Sequence, residues 1–144
     1  MSSITNLETD PHCLNQRESW RSTVEKQDNG LYRYRLEDGY TNFTVQLSTD
    51  HPPEGGIVVA DYLASGGAKA SVEYSYAYDI VSDNGRLLVI KAFQDNPCAI
   101  LYTQGEIVLR HVTVLPNEDE YKRMLDTVGM QGFDSATRPL IFGA

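Results

Sequence analysis

Apolar and polar positions alternate with a strict period of two from Val72 to Ile80. Val72, Tyr74, Tyr76, Tyr78 and Ile80 form one row, and Glu73, Ser75, Ala77 and Asp79 the other. Such a period places the two rows on opposite faces of a strand. The same rhythm sets Tyr32, Tyr34 and Leu36 against Arg33 and Arg35, and Phe43, Val45 and Leu47 against Thr44 and Gln46. Turn signals interrupt the runs at short intervals: Asp28-Asn29-Gly30, Asp38-Gly39, Gly55-Gly56, Ser65-Gly66-Gly67, Asp83-Asn84-Gly85, Asp95-Asn96-Pro97 and Gly105. Glycine accepts the positive φ of a tight turn, and Asn or Asp before it tolerates the same region. Eight strands are predicted, over 20–26, 31–37, 40–48, 57–64, 70–80, 86–93, 98–103 and 106–115.

Links this short predict pairing between neighbours in an antiparallel meander, because a parallel crossover takes about a dozen residues or more. Strands six to eight are apolar on both faces (Leu87-Leu88-Val89-Ile90, Ala99-Ile100-Leu101, Ile107-Val108-Leu109). Their outer side needs a cover: a helix, a second subunit, or both. The helix is predicted over Glu118–Val128. Asn117 is its N-cap, Glu120 completes a capping-box-like arrangement, and Gly129 stops it. Tyr121, Met124, Leu125 and Val128 make one apolar stripe. A shorter helix is expected over 12–19, and a tail carrying Phe133, Leu140, Ile141 and Phe142 is expected to pack back. An open eight-stranded sheet exposes two edges, and closure removes them. The expected fold is therefore all-β: one domain over 1–144, an antiparallel up-and-down β-barrel of about eight strands with the C-terminal helix packed outside.

Composition changes this picture little. Charged residues are 22% and hydrophobic ones 41%, an ordinary globular balance. A formal charge of −8 argues against a nucleic-acid partner and against anionic membrane. No apolar run reaches the ~18 residues of a membrane span. Met1 to Asp10 lacks the basic and apolar regions of a secretion signal. A cytoplasmic protein with reduced Cys13 and Cys98 is the resulting expectation.

Eight sequential strands followed by a helix resemble the calycin superfamily, and the lipocalins in particular. Lipocalins carry a tryptophan at the start of the first strand and an arginine near the end of the last, stacked across the closed end; Trp20 and Arg110 stand in corresponding places. The family's G-x-W is Glu18-Ser19-Trp20 here, and its long lid loop is missing. The resemblance implies a barrel that encloses a ligand.

An eight-stranded barrel has room for side chains or for one small ligand. The tyrosine rows favour the ligand: Tyr32, Tyr34, Tyr74, Tyr76 and Tyr78 would point hydroxyls at the lumen. Asp61, Lys91 and His111 each interrupt an apolar row, and a charge facing inward is costly unless paired. Strand-end exposure is the expected resolution for each. His111 is the candidate acid or base. Hydrolase, P-loop, metalloprotease and dinucleotide motifs are missing, and the histidines are scattered, so neither metal nor cofactor is expected. The leading expectation is a barrel that binds a small, mostly apolar molecule in a tyrosine-lined cavity. The alternatives are a cyclase or isomerase working by shape in that cavity, or an acidic interaction partner such as a secretion chaperone or immunity protein. Apolar outer surface on strands six to eight predicts a homodimer.

Overall fold

The computed structural model describes residues 6–68, 71–72, 78–93 and 100–128, with 100–103 described by their backbone alone. Ten strands and one helix follow in chain order: β1 (Ser19–Trp20), β2 (Ser22–Lys26), β3 (Tyr32–Leu36), β4 (Phe43–Gln46), β5 (Ile57–Ser65), β6 (Ser71–Val72), β7 (Tyr78–Asp83), β8 (Leu87–Ala92), β9 (Ile100–Thr103), β10 (Glu106–Leu115) and α1 (Glu118–Val128). All eight predicted strand regions contain strand; the first is interrupted at Arg21, and residues 73–77 of the fifth lie outside the described residues. The helix falls where its stripe and caps placed it.

The strands form two sheets rather than a closed barrel. One has the order β1-β4-β9-β6 and the other β2-β3-β10-β5-β8-β7, and every pair is antiparallel. This is a β-sandwich. The meander expectation fails for a physical reason: a short link only requires its two ends to lie close together. The roughly 10 Å between packed sheets satisfies that as well as a hairpin does. Among the described strands, two successive pairs are hairpins, β2–β3 and β7–β8. Their turns are the two Asp-Asn-Gly sequences, in which the Asn29 and Asn84 side chains accept backbone bonds from Leu31 (3.0 Å) and Arg86 (2.9 Å). The other links cross the sandwich. At Gly105, between β9 and β10, φ is +67° and a Cβ would strike the carbonyl oxygens of Ser65 and Gly66, so only glycine passes.

Two strands change sheets. β1 pairs with β4, and one residue later β2 pairs with β3; Arg21 makes the corner at φ +62°. The predicted strand 70–80 divides likewise, β6 lying in the smaller sheet and β7 in the larger.

The core between the sheets contains Tyr34, Phe43, Val45, Leu47, Val58, Ala60, Tyr62, Tyr78, Leu88, Ile90, Ile107, Leu109, Val112 and Val114. A second cluster lies on the far side of the larger sheet, where Tyr121, Met124 and Leu125 of α1 cover Ile57, Val59, Leu87, Val89 and Leu115. The helix thus covers apolar outer positions of β8 and β10. Asn117 Oδ1 accepts from the Glu120 N–H at 2.9 Å, as an N-cap should. The Glu120 carboxylate turns instead to Arg123 at 2.9 Å, so this half of the expected capping box is absent. Residues 12–19 form no helix; the chain there is irregular up to β1.

Candidate functional site

Enclosure by tyrosines is not what the sandwich provides. Tyr34 and Tyr78 are buried at 1% and 2% exposure within the inter-sheet core, and Tyr32 packs against the same core half-buried. Tyr74 and Tyr76 lie outside the described residues. The Tyr34 hydroxyl accepts the Arg17 backbone N–H at 2.6 Å, and burial pushes its pKa up to about 12. The tyrosine-lined cavity, its apolar ligand and the cyclase or isomerase alternative are corrected accordingly: Tyr34 and Tyr78 fill a core, with Tyr32 packed against it. The lipocalin resemblance falls with them. Trp20 lies in the smaller sheet, whereas the Arg110 guanidinium in the larger sheet holds Asp61 at 2.7 Å.

His111 is fully buried, but not beside the tyrosines. A bulge between Leu109 and His111 inserts one residue and reverses the alternation, so His111 shares a face with Leu115 rather than with Ile107. It stands opposite Asp61, also fully buried, with Thr113 Oγ1 3.4 Å from its Nδ1 and the His12 ring at 5.4 Å. Strand-end exposure therefore fails for both Asp61 and His111. Lys91 does reach the surface, 3.3 Å from Glu118. Among the described residues, no group of three His, Cys, Asp or Glu is placed to hold a metal ion, and no helix is long and apolar enough to cross a membrane.

A different surface combines recognition chemistry. On the smaller sheet the register aligns Trp20, Thr44, Tyr102 and Ser71 in one row across all four strands. In the adjacent row Val45 and Val72 pack into the core, so Trp20, Thr44 and Ser71 lie on the outer face. Trp20, the chain's single tryptophan, is 46% exposed. Glu18 and Gln46 begin the next outer row, joined by the Gln46 N–H donating to the Glu18 carbonyl at 2.9 Å. At the corner, the Arg21 guanidinium lies 5.4 Å from the centre of the exposed Tyr40 ring.

An open cleft of about 520 Å³ adjoins this face, lined by Thr9, Asp10, Asn15, Gln16, Arg17, Glu18, Gln46 and Thr49. Its walls are amides, hydroxyls and carboxylates. Burial would raise the Asp10 carboxyl, but backbone N–H groups of Asn15 and Leu14 and the Arg17 guanidinium outweigh it and hold the group below its ordinary value. The larger sheet's outer face also has a cleft, about 370 Å³, flanked by Arg33 and Arg110. It lacks an aromatic, and its arginines are paired with Glu106 (3.7 Å) and Asp61 (2.7 Å).

Trp20 was singled out from sequence for a different role, and its exposure had no sequence signal. Glu8, Asp10 and Arg17 were missed altogether, because they meet one another within an irregular segment that has no periodicity to read, and reach Thr49 and Leu47 far along the chain.

No protein-family model matches this chain, and no curated protein matches it. Among solved structures, a family 29 carbohydrate binding module is similar at 17% identity and TM-score 0.46, covering 81% of this chain and 88% of its own. Variants of such a module complexed with mannohexaose (17% identity) and with cellulohexaose (16%) each cover 83% of this chain and 93% of their own, both with TM-score 0.46. Identity this low leaves those modules' binding residues unassigned in this chain, whose own side chains define the site.

Proposed function

We propose that this chain binds an oligosaccharide along the outer face of its smaller sheet. The observation that carries the reading is the exposed Trp20 in register with Thr44, Tyr102 and Ser71, beside a cleft of amides and carboxylates. A pyranose presents two flat faces lined with C–H groups and a rim of hydroxyls. An indole is flat and apolar and can stack on such a face. Side chains such as Gln16, Glu18 and Gln46 offer donors and acceptors to the rim. Positions 20 and 102 are two strands apart, roughly 10 Å, which suits an extended chain laid across the sheet rather than a single sugar. A net charge of −8 favours neutral sugars over polyuronates.

Because Trp20 is the only tryptophan, its emission reports on this face alone. Titration with cellulohexaose and mannohexaose is expected to shift that emission for at least one of them, with matching heat in calorimetry. Trp20→Ala is expected to fold normally and to lose at least tenfold in affinity, about 1.4 kcal/mol. Retention of full affinity in that variant, or no binding across an array of neutral oligosaccharides, defeats the reading.

A further inference from the structure

Residues 6–13 lie along the part of β10 that β3 leaves uncovered. β3 pairs with β10 only over Glu106–Val108. Beyond that point the Leu7 N–H donates to the Val114 carbonyl (2.8 Å) and the Val112 N–H donates to the Pro11 carbonyl (2.9 Å). The Asn6 side chain clamps the same edge, donating to the Val112 carbonyl at 3.0 Å and accepting the Val114 N–H at 2.8 Å.

The far end is tied chiefly through Arg17 and Glu8. The Arg17 guanidinium reaches Glu8 at 3.1 Å, the Asp10 carboxylate at 2.6 Å and the Asp10 carbonyl at 2.9 Å, while its Nε donates to the Leu47 carbonyl at 3.3 Å. The second Glu8 oxygen accepts the Thr49 N–H at 2.8 Å. The Arg17 and Glu8 side chains are 3% and 1% exposed. Arg17 thus joins segment to sandwich through a buried, fully engaged fork.

Apolar burial contributes two small side chains to this attachment: Pro11 and Cys13 are buried, Cys13 within the core cluster, whereas Leu7 and Leu14 are exposed. A segment held by polar contacts, with few apolar ones, belongs to the part of a fold that opens below the cost of global unfolding.

We propose that Arg17 is a latch: it holds residues 6–13 on the sandwich as a unit that opens while both sheets remain folded. The inference stands apart from the sugar reading, although Thr9 and Asp10 line the cleft and an open segment removes that wall. Arg17 is a positioning residue in this scheme.

Cys13 supplies the readout, because it is buried in the closed form and burial pushes its thiol up to about 12, which keeps it inert there. The experiment alkylates the full chain with iodoacetamide at increasing urea below the unfolding transition. Peptide mass spectrometry then follows Cys13 separately from Cys98. Opening of the segment alone predicts Cys13 modification with little urea dependence, since little surface is exposed. Glu8→Gln is expected to speed that modification about tenfold while its slight urea dependence is kept; the same loss of the closed state lowers the global unfolding free energy by about 1.4 kcal/mol, with the unfolding slope unchanged. Cys13 reactivity that rises with the full slope of global unfolding overturns the proposal, as does an unchanged rate in Glu8→Gln. Should Glu8→Gln fail to fold, the urea slope of the native chain decides alone.

Discussion

Removing a single oxygen from Tyr34 is expected to cost about 1–3 kcal/mol of stability, because the buried Arg17 N–H would lose its acceptor. Urea unfolding of Tyr34→Phe checks this, and a loss below a few tenths would deny the bond its structural role. The inward direction of Tyr34 was legible in the alternation with Arg33 and Arg35. The use of its hydroxyl was not, since its partner lies 17 residues upstream in an irregular segment. His111 shows the opposite failure. Its burial fits the apolar row, but the inserted Arg110 reverses the face, and nothing in Leu109-Arg110-His111 announces a bulge. Parity arguments hold only as far as the next irregularity.

The helix was the most legible element, and its logic is local. Cap, acidic first turn and stripe all lie within 117–128, so no distant contact was needed to place it. Its packing is correspondingly concentrated: Met124 is fully buried against Ile57, Val59, Val89 and Leu115. Met124→Ala is expected to destabilise the fold by about 2–5 kcal/mol, measured by thermal or urea unfolding. A smaller loss would mean that the larger sheet's outer face tolerates an ill-fitting cover. Strand positions were legible for the same local reason, but strand partners were not. Asp-Asn-Gly marked the two hairpins because its backbone chemistry suits a tight reversal. The remaining glycine turns cross between sheets, and composition does not separate the two uses.

At the scale of the molecule, the edge argument behind the barrel was sound physics applied to the wrong closure. At Arg21 the chain passes from one sheet to the other, and β6 and β7 lie in different sheets, so both sides of the sandwich are bridged and no continuous hydrogen-bonded ring closes among the described residues. That difference relocates function. A barrel would place recognition inside, among tyrosines; a sandwich fills its interior and leaves its outer faces to solvent, which is why the proposed site lies on the face bearing Trp20.

The corner at Arg21 can also be seen as an extra beat in a two-beat rhythm. Ser19 faces inward with Val45 and Trp20 outward, yet Ser22 and Val24 face inward again, Ser22 beside Leu36 and Val24 beside Tyr34. Arg21 absorbs the odd count, and the Ser19 and Ser22 hydroxyls meet across it at 2.5 Å. Deleting Arg21 would restore unbroken time from Ser19 to Lys26, producing one straight strand that fits only one sheet. The larger sheet has five residues of pairing to keep it and the smaller has two, so the smaller sheet is expected to lose β1. Fast hydrogen exchange at the Gln46 amide, now bonded to the Glu18 carbonyl, would register that loss. Arg21→Gly keeps the count and is expected to keep the protection. The tryptophan's place on its face is thus set by a number of residues as much as by their kind.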